Sequence, residues 1–253
     1  MRFRLILIFL VFLSWGCNVK TDEKYIIGFS QCTGGDEWRK AMLDGMKREL
    51  AFYPNTELIF KDAKANSQTQ VAQIRELLKS GINLLIVSPN EAEPLTPIVE
   101  EAYKNGIPVV VVDRRTSSPY FTAYVGGDNY EVGKTAGQYI ASILKGKGKI
   151  IEITGLPKSS PASDRNRGLK DAIASHPDIQ LVATLNGQWE KPIAKKELSK
   201  ILPKYPDLSL IFATTSSRVV CFSSFSTAVW VPISTSPMMS LMLQLTTQPL
   251  LSR

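Results

Sequence analysis

The sequence is poor in the groups that most enzymes use. Its 253 residues include one histidine, His176, and three cysteines, Cys17, Cys32 and Cys221. A lone histidine before Pro177, at the end of a helix-like segment, suits a surface or helix-dipole role. No Gly-X-Ser-X-Gly elbow accompanies it. There is no clustered Cys or His with metal-ligand spacing and no calcium-binding loop. Gly-X-Gly-X-X-Gly and the P-loop pattern are also missing. Gly34-Gly35 is the only glycine pair at the first strand-to-helix turn, and Asp36-Glu37 behind it would repel a phosphate. These absences argue against a nucleotide, a metal or a hydrolytic centre, and no cofactor is expected. Cys32 and Cys221 form no disulfide framework and read as free thiols.

Charge of one sign is not concentrated anywhere. The net charge is +7, but the Lys and Arg residues are scattered among nearly as many acids, which reads as a solvated surface and not a nucleic-acid patch. Long hydrophobic runs are absent as well. The unbroken apolar stretch from Leu5 to Leu13 follows Arg2 and Arg4 and is too short to span a bilayer, so residues 1–17 read as an export signal. Gly16 before Cys17 looks like a bacterial lipoprotein signal, in which Cys17 is lipidated; Trp15 fits that box poorly and leaves ordinary export or an uncleaved anchor open. The membrane is therefore expected only through the N-terminus, or through a C-terminal segment missing from this chain.

What is present is a regular alternation from Tyr25 of short apolar runs and longer amphipathic stretches, the pattern of parallel strands joined by crossover helices. Strands are predicted at 25–30, 57–61, 84–88, 109–113, 122–125, 149–154, 180–185 and 208–213. Val71, Ile74, Leu77 and Leu78 mark one helix face, closed by Gly81; Ile98, Val99, Ala102 and Tyr103 mark another, closed by Gly106. Further helices are predicted over 129–144 and 163–175. These are Rossmann-like β-α repeats, so ligand should sit beyond the carboxyl ends of the strands.

The alternation stops after Ala213. From Thr214 to Arg253 there is no Asp, Glu, Lys, Asn or Gly, and neither a helical nor a strand period. The expectation for 214–253 is an aberrant end, from a shifted reading frame or misjoined sequence, or a disordered tail.

The strand-end residues suit recognition of a small polyol. Aromatic faces pack on the apolar faces of a sugar ring, while Asp, Asn and Arg form charge-assisted or bidentate bonds to hydroxyls. Trp38, Arg39, Asn90, Asp113, Arg114, Arg167 and Trp189 supply those types.

These residues bring a family into view. The stretch from Tyr25 to Ala213 resembles the ribose-type periplasmic sugar-binding proteins and the ligand cores of lactose-repressor-like regulators. The resembling features are Ile27-Gly28-Phe29-Ser30, Asp44-Gly45, Leu85-Ile86-Val87-Ser88-Pro89, Ile107-Pro108-Val109 through Asp113-Arg114, Gly127-Asp128-Asn129 and Arg165-Asn166-Arg167-Gly168. The string from Ser30 to Arg39 looks more like the periplasmic sensor region of Bacteroides-type hybrid two-component systems. The resemblance implies an α/β, type I periplasmic-binding-protein-like fold of two Rossmann-like lobes with parallel sheets. The first lobe would cover 24–126 and an incomplete second lobe 127–213.

It also implies roles. Trp38 and Trp189 fall where the family stacks aromatics on sugar, Asp113 and Arg114 match its hydroxyl-binding pair, and Arg167 matches an arginine reaching in from the second lobe. Ser88 replaces an asparagine common in ribose binders, with Asn90 nearby as a substitute, and Thr214-Thr215-Ser216 stands where the family carries Asn-Asp. The expected function is non-catalytic binding of a monosaccharide between the lobes, read by a histidine kinase region or, alternatively, by an ABC permease. An exported N-terminus in place of a helix-turn-helix disfavours a transcription regulator. An enzyme on this scaffold would have to work with Asp36, Glu37 and Asp113.

Overall fold

The computed structural model describes residues 24–214, 219–223 and 227–231. The expected export signal and Cys17 lie outside the described residues. The chain runs β1 (Tyr25–Gln31), α1 (Glu37–Leu50), β2 (Thr56–Asp62), α2 (Ser67–Lys79), β3 (Leu84–Ser88), α3 (Ala92–Lys104), β4 (Val109–Val112) and β5 (Ala123–Val125). Then follow α4 (Asn129–Ile143), β6 (Gly148–Thr154), α5 (Ser160–Ile173), β7 (Ile179–Asn186), α6 (Lys191–Ile201) and β8 (Leu208–Thr214). Strands β9 (Val219–Ser223) and β10 (Thr227–Val231) close the described part.

The strands sort into two five-stranded sheets, in the orders β2-β1-β3-β4-β5 and β10-β9-β8-β6-β7. The first is parallel throughout. In the second, β8, β6 and β7 are parallel, while β9 pairs antiparallel with β8 and β10 antiparallel with β9. The stretch without sequence period thus carries a two-stranded extension of the second sheet.

Two cores follow the apolar faces read from the sequence. In the first lobe Ile74 and Leu77 of α2 and Leu95, Ile98 and Val99 of α3 pack on Leu85, Val87, Val109 and Val111. Tyr103 departs from the expectation and is exposed. Both helices stop where predicted, at Gly81 with φ +75° and Gly106 with φ +82°, because a glycine enters the left-handed region without a Cβ penalty. The second core joins Val132, Ala136 and Ile140 of α4, Leu169 and Ile173 of α5, and Ile150, Leu210 and Phe212 of the sheet.

Helix α5 begins at Ser160, earlier than its apolar period suggested, with Pro161 in its first turn, where a missing N–H costs nothing. Helices α4 and α5 approach backbone to backbone. A Cβ on Gly133 would lie 2.0 Å from the Arg165 carbonyl oxygen, and one on Gly168 would lie 2.1 Å from that of Tyr130. This close approach fixes where the first turns of α5 sit. No helix among the described residues is long and apolar enough to cross a membrane.

Candidate functional site

The parallel strands of both sheets direct their carboxyl ends toward a common cleft. It is lined by Asp36, Trp38, Arg39, Asp113 and Arg114 from the first lobe and by Pro161, Arg165 and Trp189 from the second. The open space between them is only ≈ 30 Å³, far below the roughly 300–1,000 Å³ of ordinary small-molecule pockets. A ring-sized ligand therefore requires the lobes to part or the lining side chains to swing aside. A larger groove of ≈ 690 Å³ runs along α4 and α5 past Lys134, Lys145 and His176. It is an open trough edged by flexible lysines, whereas the cleft brings together rigid rings and buried guanidinium groups.

Arg39 is central to the cleft. Asp36 caps α1 by accepting from the Arg39 N–H at 2.8 Å, and the Arg39 carbonyl accepts from Gln31 Nε2 at 3.1 Å. With its backbone held at both groups, the side chain reaches inward from a helix that buries nothing else. Its Nη1 donates to Ser88 Oγ at 2.7 Å and its Nη2 meets Asp113 Oδ2 at 2.6 Å. The arginine side chain is 4% exposed and the aspartate 25%.

Asp113 follows β4 with φ +63°, a strained conformation for a residue with a Cβ and one that Asp tolerates better than most. This kink turns its carboxylate into the cleft and its neighbour Arg114 beneath it. Arg114 is buried and donates from Nη1 to the Asn90 carbonyl at 2.9 Å. Burial pushes its pKa below the ordinary guanidinium value, against the opposing pull of nearby groups including Asp113.

Ser88 and Asn90 are both buried behind the cleft and line none of it. Ser88 holds Arg39. The Asn90 side chain donates to Ser67 Oγ at 3.0 Å and its backbone N–H to Gln70 Oε1 at 2.8 Å. The two residues hold the loop between β3 and α3, which sets Arg114.

From the second lobe, Trp189 sits in the turn between β7 and α6, where Gln188 and Trp189 both have positive φ, +52° and +66°. Gly155 makes room for it: a Cβ there would fall 1.9 Å from the indole. The Trp189 indole N–H is buried and has no hydrogen-bond partner among the described residues. Arg165 lies over the ring with its guanidinium carbon 5.6 Å from the centroid, within cation–π range, and its Nε donates to Asn129 Oδ1 at 2.9 Å. Burial lowers the Arg165 pKa, while Asp113 across the cleft raises it.

Arg167, read from the sequence as the arginine reaching in from the second lobe, is not gathered into the cleft. Its side chain is 62% exposed, bonds Asp164 at 3.1 Å and lies over Tyr130. Arg165 occupies the inward position. Residues two positions apart on a helix are rotated by about 200°, so the two guanidinium groups leave opposite sides of α5. The sequence motif holds both arginines, and only the packing of α4 on α5 distinguishes them. Asp36 and Pro161 also line the cleft without having been singled out as binding residues. The capping signal of Asp36 before α1 was the available clue to its placement.

The carboxylates considered for acid–base work are committed elsewhere. Asp36 caps α1, Asp113 pairs with Arg39, and Glu37 is an exposed partner of Lys40.

Comparison with known proteins places this architecture. The profile described as a periplasmic binding protein domain matches residues 27–227. The chain belongs to that family. As a periplasmic binding protein domain it is 26% identical over 196 residues to the ribose import binding protein of Bacillus subtilis, covering 78% of this chain and 63% of the relative. Against the D-ribose/D-allose-binding protein of Pseudomonas aeruginosa the identity is 27%, over 80% of this chain and 66% of the relative.

Among solved structures, the fructose-binding periplasmic domain of a hybrid two-component system is 43% identical with a TM-score of 0.71, covering 75% of this chain and 63% of that one. A solute-binding protein of Bacillus halodurans with bound myo-inositol is 25% identical with a TM-score of 0.72, covering 77% and 68%. The expected α/β fold with parallel sheets is thereby borne out, and these relatives are described as binding proteins or binding domains. The chain spans about three fifths of the length of the first curated relatives it matches.

Proposed function

We propose that this chain binds a monosaccharide or related small carbohydrate between its two lobes, in the periplasm, as the sensor region of a two-component signalling receptor. The observation that carries the reading is the convergence of Trp38, Arg39, Asp113, Arg114, Arg165 and Trp189 on one cleft. Rings provide apolar faces, and the guanidinium and carboxylate groups provide hydroxyl partners. Trp189 adds an indole donor that has no partner among the described residues, and a ligand oxygen could accept from it. Contacts to both lobes would favour the state in which the lobes approach one another.

The sensor role is supported by the 43% identity to the periplasmic domain of a hybrid two-component system that binds fructose. A second reading, delivery to an ABC permease, is favoured by curated relatives that are import binding proteins. A histidine kinase region is the partner in the first reading and a permease in the second, with Cys17 lipidation belonging to either.

Isothermal titration with D-fructose, D-ribose, L-arabinose and myo-inositol tests the binding. Saturable binding of at least one, weakened about 100-fold in Arg165→Ala, is expected, and no heat above dilution from any neutral sugar overturns the reading. Deletion of the gene in its host should abolish sugar-induced transcription and leave uptake rate unchanged. The reverse outcome selects transport.

A further inference from the structure

Among the described residues the two lobes are joined covalently at one place, the connector between Val125 of β5 and Asn129 of α4. Inter-domain contacts within one chain resemble transient protein–protein interfaces, so the angle between the lobes depends on the bonds that cross between them. Outside the cleft the lobes meet at Lys158, whose carbonyl accepts from the Ala92 N–H at 3.2 Å and whose Nζ lies 3.9 Å from Glu91 Oε1, and at Arg115. The Arg115 N–H donates to Ser160 Oγ at 2.7 Å, and Arg115 Nη2 meets Asp164 Oδ2 at 2.9 Å. Asp164 Oδ1 also accepts from Arg167 at 3.1 Å, so one carboxylate of the second lobe is shared by a guanidinium from each lobe.

Both arginines rest on tyrosine rings. Arg115 lies 5.2 Å from the Tyr124 centroid and Arg167 lies 5.1 Å from that of Tyr130. These tyrosines stand on either side of the connector, and Tyr124 Oη donates to the Asp113 carbonyl at 2.9 Å. The ring that supports the clasp is therefore bonded to the backbone that orients the cleft carboxylate. Asp164 is 14% exposed and Arg115 40%, which keeps the pair from being fully screened by solvent.

We propose that Arg115, Asp164 and Arg167, bracketed by Tyr124 and Tyr130, form an interlobe clasp that sets how far the lobes close, and so sets ligand affinity without touching ligand. These are positioning residues, since none lines the cleft. The affinity part of the proposal rests on the carbohydrate-binding reading above, whereas the closure part does not.

The test uses the full chain with spin labels placed on one exposed helix residue of each lobe, at Lys79 and Lys195, and reads the interlobe distance distribution by pulsed electron paramagnetic resonance without added sugar. Asp164→Asn and Arg115→Gln should each shift the distribution toward longer distances. In the parent, 0.5 M salt should reproduce part of that shift. The double variant should add little to either single change, because both remove one shared bond. With D-fructose as probe, each variant should bind roughly fivefold more weakly, through faster dissociation, and the melting temperature should stay near that of the parent.

Distance distributions identical in parent and variants overturn the clasp, whatever the sugar result. Shifted distributions with no sugar bound by any form support the clasp and count against the carbohydrate reading instead. Shifted distributions with unchanged fructose affinity overturn the link between closure and binding.

Discussion

Arg39 Nη2 and Asp113 Oδ2 meet at 2.6 Å, with the arginine almost wholly buried and the aspartate open to the cleft. The pair belongs at once to the site and to the interior, because Arg39 comes from α1 and Asp113 from the end of β4. Removing the aspartate would strand a buried guanidinium, and such losses cost roughly 3–5 kcal/mol.

Asp113→Ala should therefore lower both affinity and melting temperature. Asp113→Asn tolerates the positive φ and retains one acceptor, so it should recover part of the stability. Trp38, nearly half exposed, should behave differently: Trp38→Ala should weaken sugar binding with little change in melting temperature. Calorimetry and thermal melts on the three variants check this, and a Trp38→Ala variant that binds like the parent would remove that ring from the site.

The two arginines of α5 should separate cleanly. Arg165→Ala removes a buried cleft donor and should weaken binding by about 100-fold, the scale of a hydrogen bond between a charged group and its partner. Arg167→Ala removes only an exposed partner of Asp164 and should cost no more than a few-fold. Titration of both variants with the same sugar decides the assignment, and a larger effect at Arg167 would reverse it.

The contact of α4 on α5 should be intolerant of one methyl group. Gly133→Ala or Gly168→Ala places a Cβ about 2 Å from a carbonyl oxygen of the facing helix, and overpacking of this kind costs roughly 1–3 kcal/mol. Because the shifted backbone includes Arg165, affinity should fall too. Gly45→Ala is the control: it lies inside α1 with nothing near its Cβ position, and it should stabilise by up to ~1 kcal/mol through helix propensity. Urea denaturation of the three variants reads the difference.

Glu152 on β6 predicts a pH dependence. Its carboxyl is buried and accepts from Asn166 and Thr184 through Oε2, and Oε1 has no partner among the described residues. Burial raises its pKa from the usual 4.5, while the two hydrogen bonds pull it down. A raised folded-state value means that the unfolded chain loses its proton first as pH rises, so the folded state binds more protons and stability falls across that interval. Glu152→Gln should match the parent near pH 4 and melt higher at pH 7, by roughly 2–4 °C. Melting curves across pH 4 to 8 check the sign, and an equal difference at both ends would exclude ionisation as its source.

Local signals carried most of the fold. The alternation of apolar runs and amphipathic stretches marked every strand from β1 to β8, and Gly81 and Gly106 marked helix ends that the structure places at positive φ. These features act over a few residues, through side-chain period and backbone sterics, so the linear chain displays them. The pairing of β9 and β10 was not visible. β9 pairs with β8 and β10 with β9, contacts that form in space and that the sequence period of these residues does not display.

The site was legible by residue type and only partly by position. Trp38, Arg39, Asp113, Arg114 and Trp189 stood at strand ends or at the turns that follow them, and all five line the cleft. Ser88 and Asn90 stood there too, yet they face inward to hold Arg39 and the β3-α3 loop. The sequence by itself determined the β-α order, the helix stops and the supply of rings, guanidinium groups and carboxylates at the ligand end of the strands. Tertiary structure alone decided that Arg165 turns inward and Arg167 outward, and that Asp113 pairs with Arg39. Those outcomes depend on the angle at which α4 and α5 pack and on groups 74 residues apart meeting in space, which no local pattern encodes.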